Sequence, residues 1–190
     1  MKRILFITYG LLVMVIIFAF VLDRKIWAID SVVLGFVLTV LYLFRRQLNL
    51  TVFLFLLISM LVLMHSLSVF GLFRMTFWGY EYDTYVHAYS SIVIALTAFN
   101  YMKKFNIPLP ETVFMTLLIT LGGGLLNELV EFAGYKLFGR GEGLFLLGPG
   151  DIGATNEYEN LMTDFFNDFY GNVAGILLSL IYHLRVNKSD

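Results

Sequence analysis

Long apolar runs alternate along the chain with short clusters of charge or turn residues. Six such runs stand out, roughly Ile4–Leu22, Ile26–Phe44, Leu50–Phe73, Tyr85–Met102, Thr112–Tyr135 and Phe165–Leu184. Each is close to the ~20 apolar residues that a helix needs to cross a bilayer. Their boundaries carry the expected punctuation: Asp23-Arg24-Lys25, Arg45-Arg46, Lys103-Lys104 ahead of Pro108 and Pro110, and a glycine-rich stretch from Gly139 to Gly153. The pattern predicts an all-α integral membrane bundle of about six transmembrane helices, forming a single transmembrane domain over residues 1–190. The first run follows Lys2-Arg3 but ends in bulky Phe20-Val21-Leu22. It lacks a small-x-small cleavage site, so a retained first helix is expected in place of a secretory signal.

Composition sharpens this reading. The chain is 59% hydrophobic and 14% charged, whereas soluble domains run near a quarter charged, so a water-soluble globule is excluded. Lys and Arg number 13 against 14 Asp and Glu, and the basic residues fall in scattered pairs. That is no nucleic-acid footprint, and membrane lipids are the expected surroundings. The absence of cysteine excludes disulfides, thiolate metal ligands and cysteine nucleophiles.

Loop charge sets the orientation, because cytoplasmic loops carry the excess of Lys and Arg. One side collects Lys2, Arg3, Arg45, Arg46, Lys103, Lys104, Arg185 and Lys188; the other collects Arg24, Lys25, Arg74, Lys136 and Arg140. Both termini are therefore expected in the cytoplasm and the 137–162 connection outside it, in a prokaryotic plasma membrane. Phe77, Trp78, Tyr80, Tyr82 and Tyr85 fall on the outer side, as an interfacial aromatic belt.

The ionisable residues collect in the second half, at about 80–180. Asp83 and His87 are four apart at the start of the fourth run, so they share one helix face. Glu128 and Glu131 are three apart near the end of the fifth. Asp164, Asp168 and Asn172 step by four into the sixth, a stripe about 12 Å long. The fourth run starts, the fifth ends and the sixth starts at the same outer face, so the three sets are expected to meet at one depth. Five carboxylates in one pocket repel unless protons or a cation sit among them.

Carboxylates with one imidazole suit zinc, manganese, iron or magnesium. The expected ligands are His87, Glu128, Asp164 and Asp168, with Glu131 as general base and Asp83 orienting His87; Asn172 and His65 extend the polar site. Ser66, Ser90 and Ser91 lack a base at informative spacing, so no serine triad is expected. The bland readings are helix-capping acids for Asp83 and Asp164 and a core histidine for His65. Gly122-Gly123-Gly124 and Gly171-x-x-x-Gly175 are expected to let helices approach closely, with a break in the fifth helix as the alternative for the triple glycine. Leu144 to Asp151 suits a re-entrant turn dipping into the interface over the site, with a poorly ordered loop as the alternative.

The order Asp83-x-x-x-His87, Glu128-x-x-Glu131, Asp164-x-x-x-Asp168-x-x-x-Asn172-x-x-Gly175 resembles the VanZ-like family of small polytopic membrane proteins. It is also similar to the related YjdF-like group. The resemblance covers about Tyr80 to Leu178. VanZ-like proteins carry Asp-Lys-x-x-His, Glu-x-x-Gln and Asp-x-x-x-Asn-x-x-Gly; here Thr84 stands in place of the lysine and Glu131 in place of the glutamine. The Asp164–Asp168 pair is closer to the YjdF-like group. The resemblance implies a shared polar membrane site, in a family associated with resistance to teicoplanin, and names no substrate.

Together these readings favour a metal-dependent membrane hydrolase or transferase acting on a lipid-linked or envelope substrate. The competing classes are a cation- or proton-coupled binding or transport protein, and a structural protein held by polar contacts.

Overall fold

The computed structural model of the chain describes residues 1–138 and 157–186. Its helices are α1 (Lys2–Val21), α2 (Lys25–Leu43), α3 (Val52–Ser66), α4 (Tyr82–Met102), α5 (Leu109–Phe138) and α6 (Glu157–Val186). A small hairpin, β1 (Thr76–Phe77) and β2 (Tyr80–Glu81), precedes α4. The chain is thus all-α, and each apolar run of the sequence falls on one of these helices. Three helical stretches among the described residues, Lys2–Val21, Val52–Phe70 and Leu109–Ala133, are long and apolar enough to cross a membrane; Trp27–Leu43 is apolar but shorter. α4 and α6 carry more polar side chains than the rest, for reasons their positions make clear below.

Two boundaries differ from expectation. The third run ends as an α-helix at Ser66 and continues as 3-10 turns, Leu67–Phe70 and Leu72–Arg74, because Gly71 between them adopts φ 85°. The Arg24 guanidinium locks this break: its Nη1 donates to the Val69 carbonyl at 2.7 Å, and a Cβ on Gly71 would stand 3.2 Å from the same nitrogen. The sixth helix begins at Glu157, eight positions before the apolar run at Phe165. The ends of the expected 137–162 loop therefore belong to α5 and α6, and the re-entrant turn expected from Leu144 to Asp151 lies outside the described residues.

Local chemistry sets the turns. Asp23, Asn49 and Asn106 take left-handed φ values of 54°, 53° and 52° after α1, after α2 and after α4. Asp and Asn tolerate that conformation because a short polar side chain bonds locally. The hairpin closes through Trp78 and Gly79, both at positive φ (51° and 86°), as a two-residue turn requires for right-handed strand twist. Thr51 caps α3, its Oγ1 accepting from the Leu54 amide at 3.1 Å.

Leu5, Leu38, Leu54, Phe55, Ile58 and Val93 join α1 to α4 in one core cluster, and Val15, Ala19, Trp27, Ala28 and Val69 form another. α6 packs chiefly on α4. The contact is possible because Gly171 and Gly175 lack side chains: a Cβ on Gly171 would come within 2.5 Å of the Ala88 carbonyl, and one on Gly175 within 2.7 Å of Ala95 Cβ. Small residues at this spacing are how membrane helices gain contact without a hydrophobic driving force. α5 turns Thr112, Thr116 and Thr120 inward and leaves Phe114, Leu118, Leu126, Leu129 and Phe132 exposed, as a helix facing lipid does.

The triple glycine behaves differently from its expected role. α5 is continuous through it, so the break is not observed. Gly122 and Gly123 meet nothing within 4 Å, so they do not mediate close helix approach either. Only Gly124 is filled from outside, and what fills it is a carboxylate.

Candidate functional site

The start of α4, the end of α5 and the first half of α6 meet around one imidazole. His87 projects from the second turn of α4, where Asp83 one turn earlier shares its face. Its Nε2 lies 3.6 Å from Asp83 Oδ2 and 3.8 Å from Asp164 Oδ1. Its Nδ1 lies 3.2 Å from Asp168 Oδ1, within hydrogen-bond range. One atom each from Asp83, His87 and Asp164 lie within 4.8 Å of one another, and the same holds for His87, Glu128 and Glu131. His87, Glu128, Asp164 and Asp168 are all buried.

Two backbone features make this convergence possible. The i, i+4 spacing of Asp164 and Asp168 puts both on the α6 face that packs on α4, and Gly171 continues that face into close contact. Across from it, Gly124 of α5 leaves room for Asp168: a Cβ there would stand 2.5 Å from Asp168 Oδ2.

Ser91 and Asn127 were not singled out as site residues by spacing, and both belong to the group. Ser91, one turn beyond His87, donates its hydroxyl to Asp168 Oδ1 at 2.8 Å. It therefore acts as a support for a carboxylate rather than as a nucleophile with a base. Asn127 donates Nδ2 to Glu131 Oε1 at 2.8 Å. Ser90 turns back to the His87 carbonyl at 2.8 Å.

Charge is the outstanding property of the group. Five carboxylates beside one imidazole remain strongly anionic when ionised, even with the ring charged. Two unit charges at about 4.8 Å repel by about 3 kcal/mol at an effective dielectric of about 20. Glu128 adds a sharper observation, since its Oε1 is buried with no hydrogen-bond partner. Asn172 is fully buried one turn below Asp168, and neither its Oδ1 nor its Nδ2 has a partner.

His65 stands in a different setting. Its Nε2 faces the buried Asp30 at 3.9 Å, and its ring packs against Trp27 and Phe73. Among the described residues it does not join the groups of ligand atoms around His87.

A family model described as "Predicted membrane protein (DUF2238)" matches residues 1–185. No curated protein and no solved structure matches the chain. The match spans nearly the whole chain, where the VanZ-like and YjdF-like resemblance spans about half, and it supports neither of those groups specifically.

Proposed function

Because the chain belongs to the membrane protein family DUF2238, we propose that the group around His87 binds a divalent cation and works as a membrane-embedded hydrolase or transferase. The carrying observation is one imidazole shared by two sets of ligand atoms, each within 4.8 Å. Nε2 stands 3.6 and 3.8 Å from the oxygens of Asp83 and Asp164, too far for good hydrogen bonds. Adjacent ligand atoms around an ion with bonds of ~2.1 Å stand about 3.0 to 3.4 Å apart. A shift of a few tenths of an ångström turns the first spacing into the second.

This geometry favours exchanging the roles expected of Asp83 and Asp168. Asp168 accepts from Nδ1 and is itself steadied by Ser91, so it fixes the ring as a carboxylate behind a ligating histidine does. Asp83 and Asp164 stand with Nε2 on the ligating side. Glu128 brings a buried, unpartnered oxygen as a further ligand. Glu131, held by Asn127, is the group placed to take a proton from water.

A zinc, manganese or magnesium ion held by His87, Asp83, Asp164 and Glu128 would supply a polarised water and charge stabilisation. Glu131 would take that water's proton as its oxygen attacks a phosphoryl or acyl centre, and would return the proton to the leaving oxygen as the bond to it breaks. The substrate proposed is lipid-linked or part of the cell envelope, since the site lies within a bundle whose outer surface is apolar. The wider proposal is six spans in a prokaryotic plasma membrane, both termini cytoplasmic. The VanZ-like and YjdF-like resemblance rests on the same residues and supports a polar site without naming its substrate.

The test is turnover of a lipid phosphate and a lipid ester in detergent micelles after chelation, then with added zinc, manganese or magnesium. Metal-restored hydrolysis, abolished by Glu131→Gln, supports the enzyme. Ion binding without turnover of either class favours a carrier.

A further inference from the structure

The α5 and α6 faces that meet at the acidic group stay polar well beyond it. The close approach of Gly124 to Asp168 sets an antiparallel register, so each turn back along α5 meets a turn forward along α6. By that register Thr120 comes level with Asn172, Thr116 with Ile176, and Thr112 with Leu180, next to Ser179. Thr112, Thr116 and Thr120 are buried, as are Asn172 and Ser179. On α4, Ala95 packs on Gly175. At the far end the ring of His183 packs against Phe99. From Asp164 to His183 the α6 axis rises about 28 Å, close to the ~30 Å thickness of a bilayer's hydrocarbon core.

A threonine ridge by itself is a packing device in membrane helices. Thr116 and Thr120 fit that description, each returning its hydroxyl to the carbonyl four residues earlier at 2.7 and 2.9 Å. Asn172 does not fit it. It is fully buried, and its amide holds two donor hydrogens and an acceptor with no protein partner. Burying such an amide without partners is strongly unfavourable, and a polar site with two to four partners is where internal water settles.

We propose that α4, α5 and α6 enclose a water-filled seam running from the acidic group through Asn172 and Thr120 toward the opposite membrane face. Water is its ligand, and the seam supplies the acidic group with water that lipid would otherwise exclude. This goes beyond the metal-site reading and stands on different atoms.

The chain has no cysteine, so single cysteines at Thr116, Thr120, Asn172 and Ser179 can be compared with lipid-facing Leu118→Cys and Leu177→Cys. A thiolate, which forms only where water reaches, attacks methanethiosulfonate ethylammonium to form a disulfide and release methanesulfinate. Reconstituted in liposomes, the seam cysteines are expected to react at least about ten-fold faster than the lipid-facing pair; equal rates overturn the proposal. Radiolytic hydroxyl-radical footprinting of the unsubstituted chain checks this without any variant. Ile176, level with Thr116, is expected to label more than Phe55 in the core of the first helices, and equal labelling of the two overturns the seam. Neither readout depends on a metal, so absent metal binding would remove the catalytic reading and leave these results standing.

Discussion

The Nδ1 of His87 lies 3.2 Å from Oδ1 of Asp168, 81 positions further along the chain, and this contact ties α4 to α6 at the centre of the acidic group. The same oxygen accepts from Ser91 at 2.8 Å, so one carboxylate is fixed by an imidazole and a hydroxyl together.

Ser91→Ala therefore tests whether Asp168 holds the ring in place for an ion. Removing a partner behind a metal ligand weakens affinity by roughly 10–100-fold, and Ser91 stands one step further back, behind Asp168, so the low end of that range applies. Manganese titration followed by electron paramagnetic resonance is expected to show a loss of that size with the helical circular dichroism spectrum unchanged. Unaltered affinity would contradict the support role.

Gly124 separates space for function from space for packing. Gly124→Ala drives a methyl to within 2.5 Å of Asp168 Oδ2, so the carboxylate must move and metal affinity is expected to fall. Gly122→Ala and Gly123→Ala meet nothing within 4 Å. They are expected to leave affinity unchanged and to raise stability by up to ~1 kcal/mol through helix propensity. Equal effects at all three positions would contradict the assignment.

Much of the site is readable from spacing, because an i, i+4 repeat fixes one helix face whatever the helix packs against. Asp83 with His87, and Asp164 with Asp168, are legible for that reason, and the common end of three helices follows from their alternating direction. Ser91, Asn127 and Gly124 are not legible. Each matters through a partner on another helix or through a side-chain rotamer, and serine, asparagine and glycine have many duller uses in a membrane helix. Hydropathy also misplaces the α6 start, since Glu157, Glu159 and Asn160 read as loop while still forming helix. The opposite happens at Gly71, where an unbroken apolar run conceals a backbone at φ 85°.

Helix packing makes a separate prediction. Gly171→Ala places a Cβ 2.5 Å from the Ala88 carbonyl and 2.9 Å from Ser91 Cβ. The backbone cannot rotate away, so α6 must withdraw from α4. A loss of about 1–3 kcal/mol is expected, as for other overpacked contacts, seen as a lower melting temperature in detergent. A melting temperature equal to that of the parent chain would argue that the helices are not in contact there.

Orientation is tested at two exposed positions. Tyr80 lies on the hairpin before α4, and Phe105 follows α4 at its other end. Tyr80→Cys is expected to label with an impermeant maleimide on intact cells, and Phe105→Cys only after permeabilisation. The reverse pattern would place the acidic group on the cytoplasmic side.

The central claim is that the carboxylates around His87 surround a divalent ion, and elemental analysis of the purified protein after equilibration with zinc, manganese or magnesium tests it most directly. Glu128→Gln and Asp164→Asn keep volume and one oxygen but discard charge. The account predicts that the parent chain retains a divalent metal and that both variants lose it while keeping helical structure. No retained metal in the parent, with both variants melting higher because like-charge repulsion is relieved, would contradict it and leave the group as structural polar contacts.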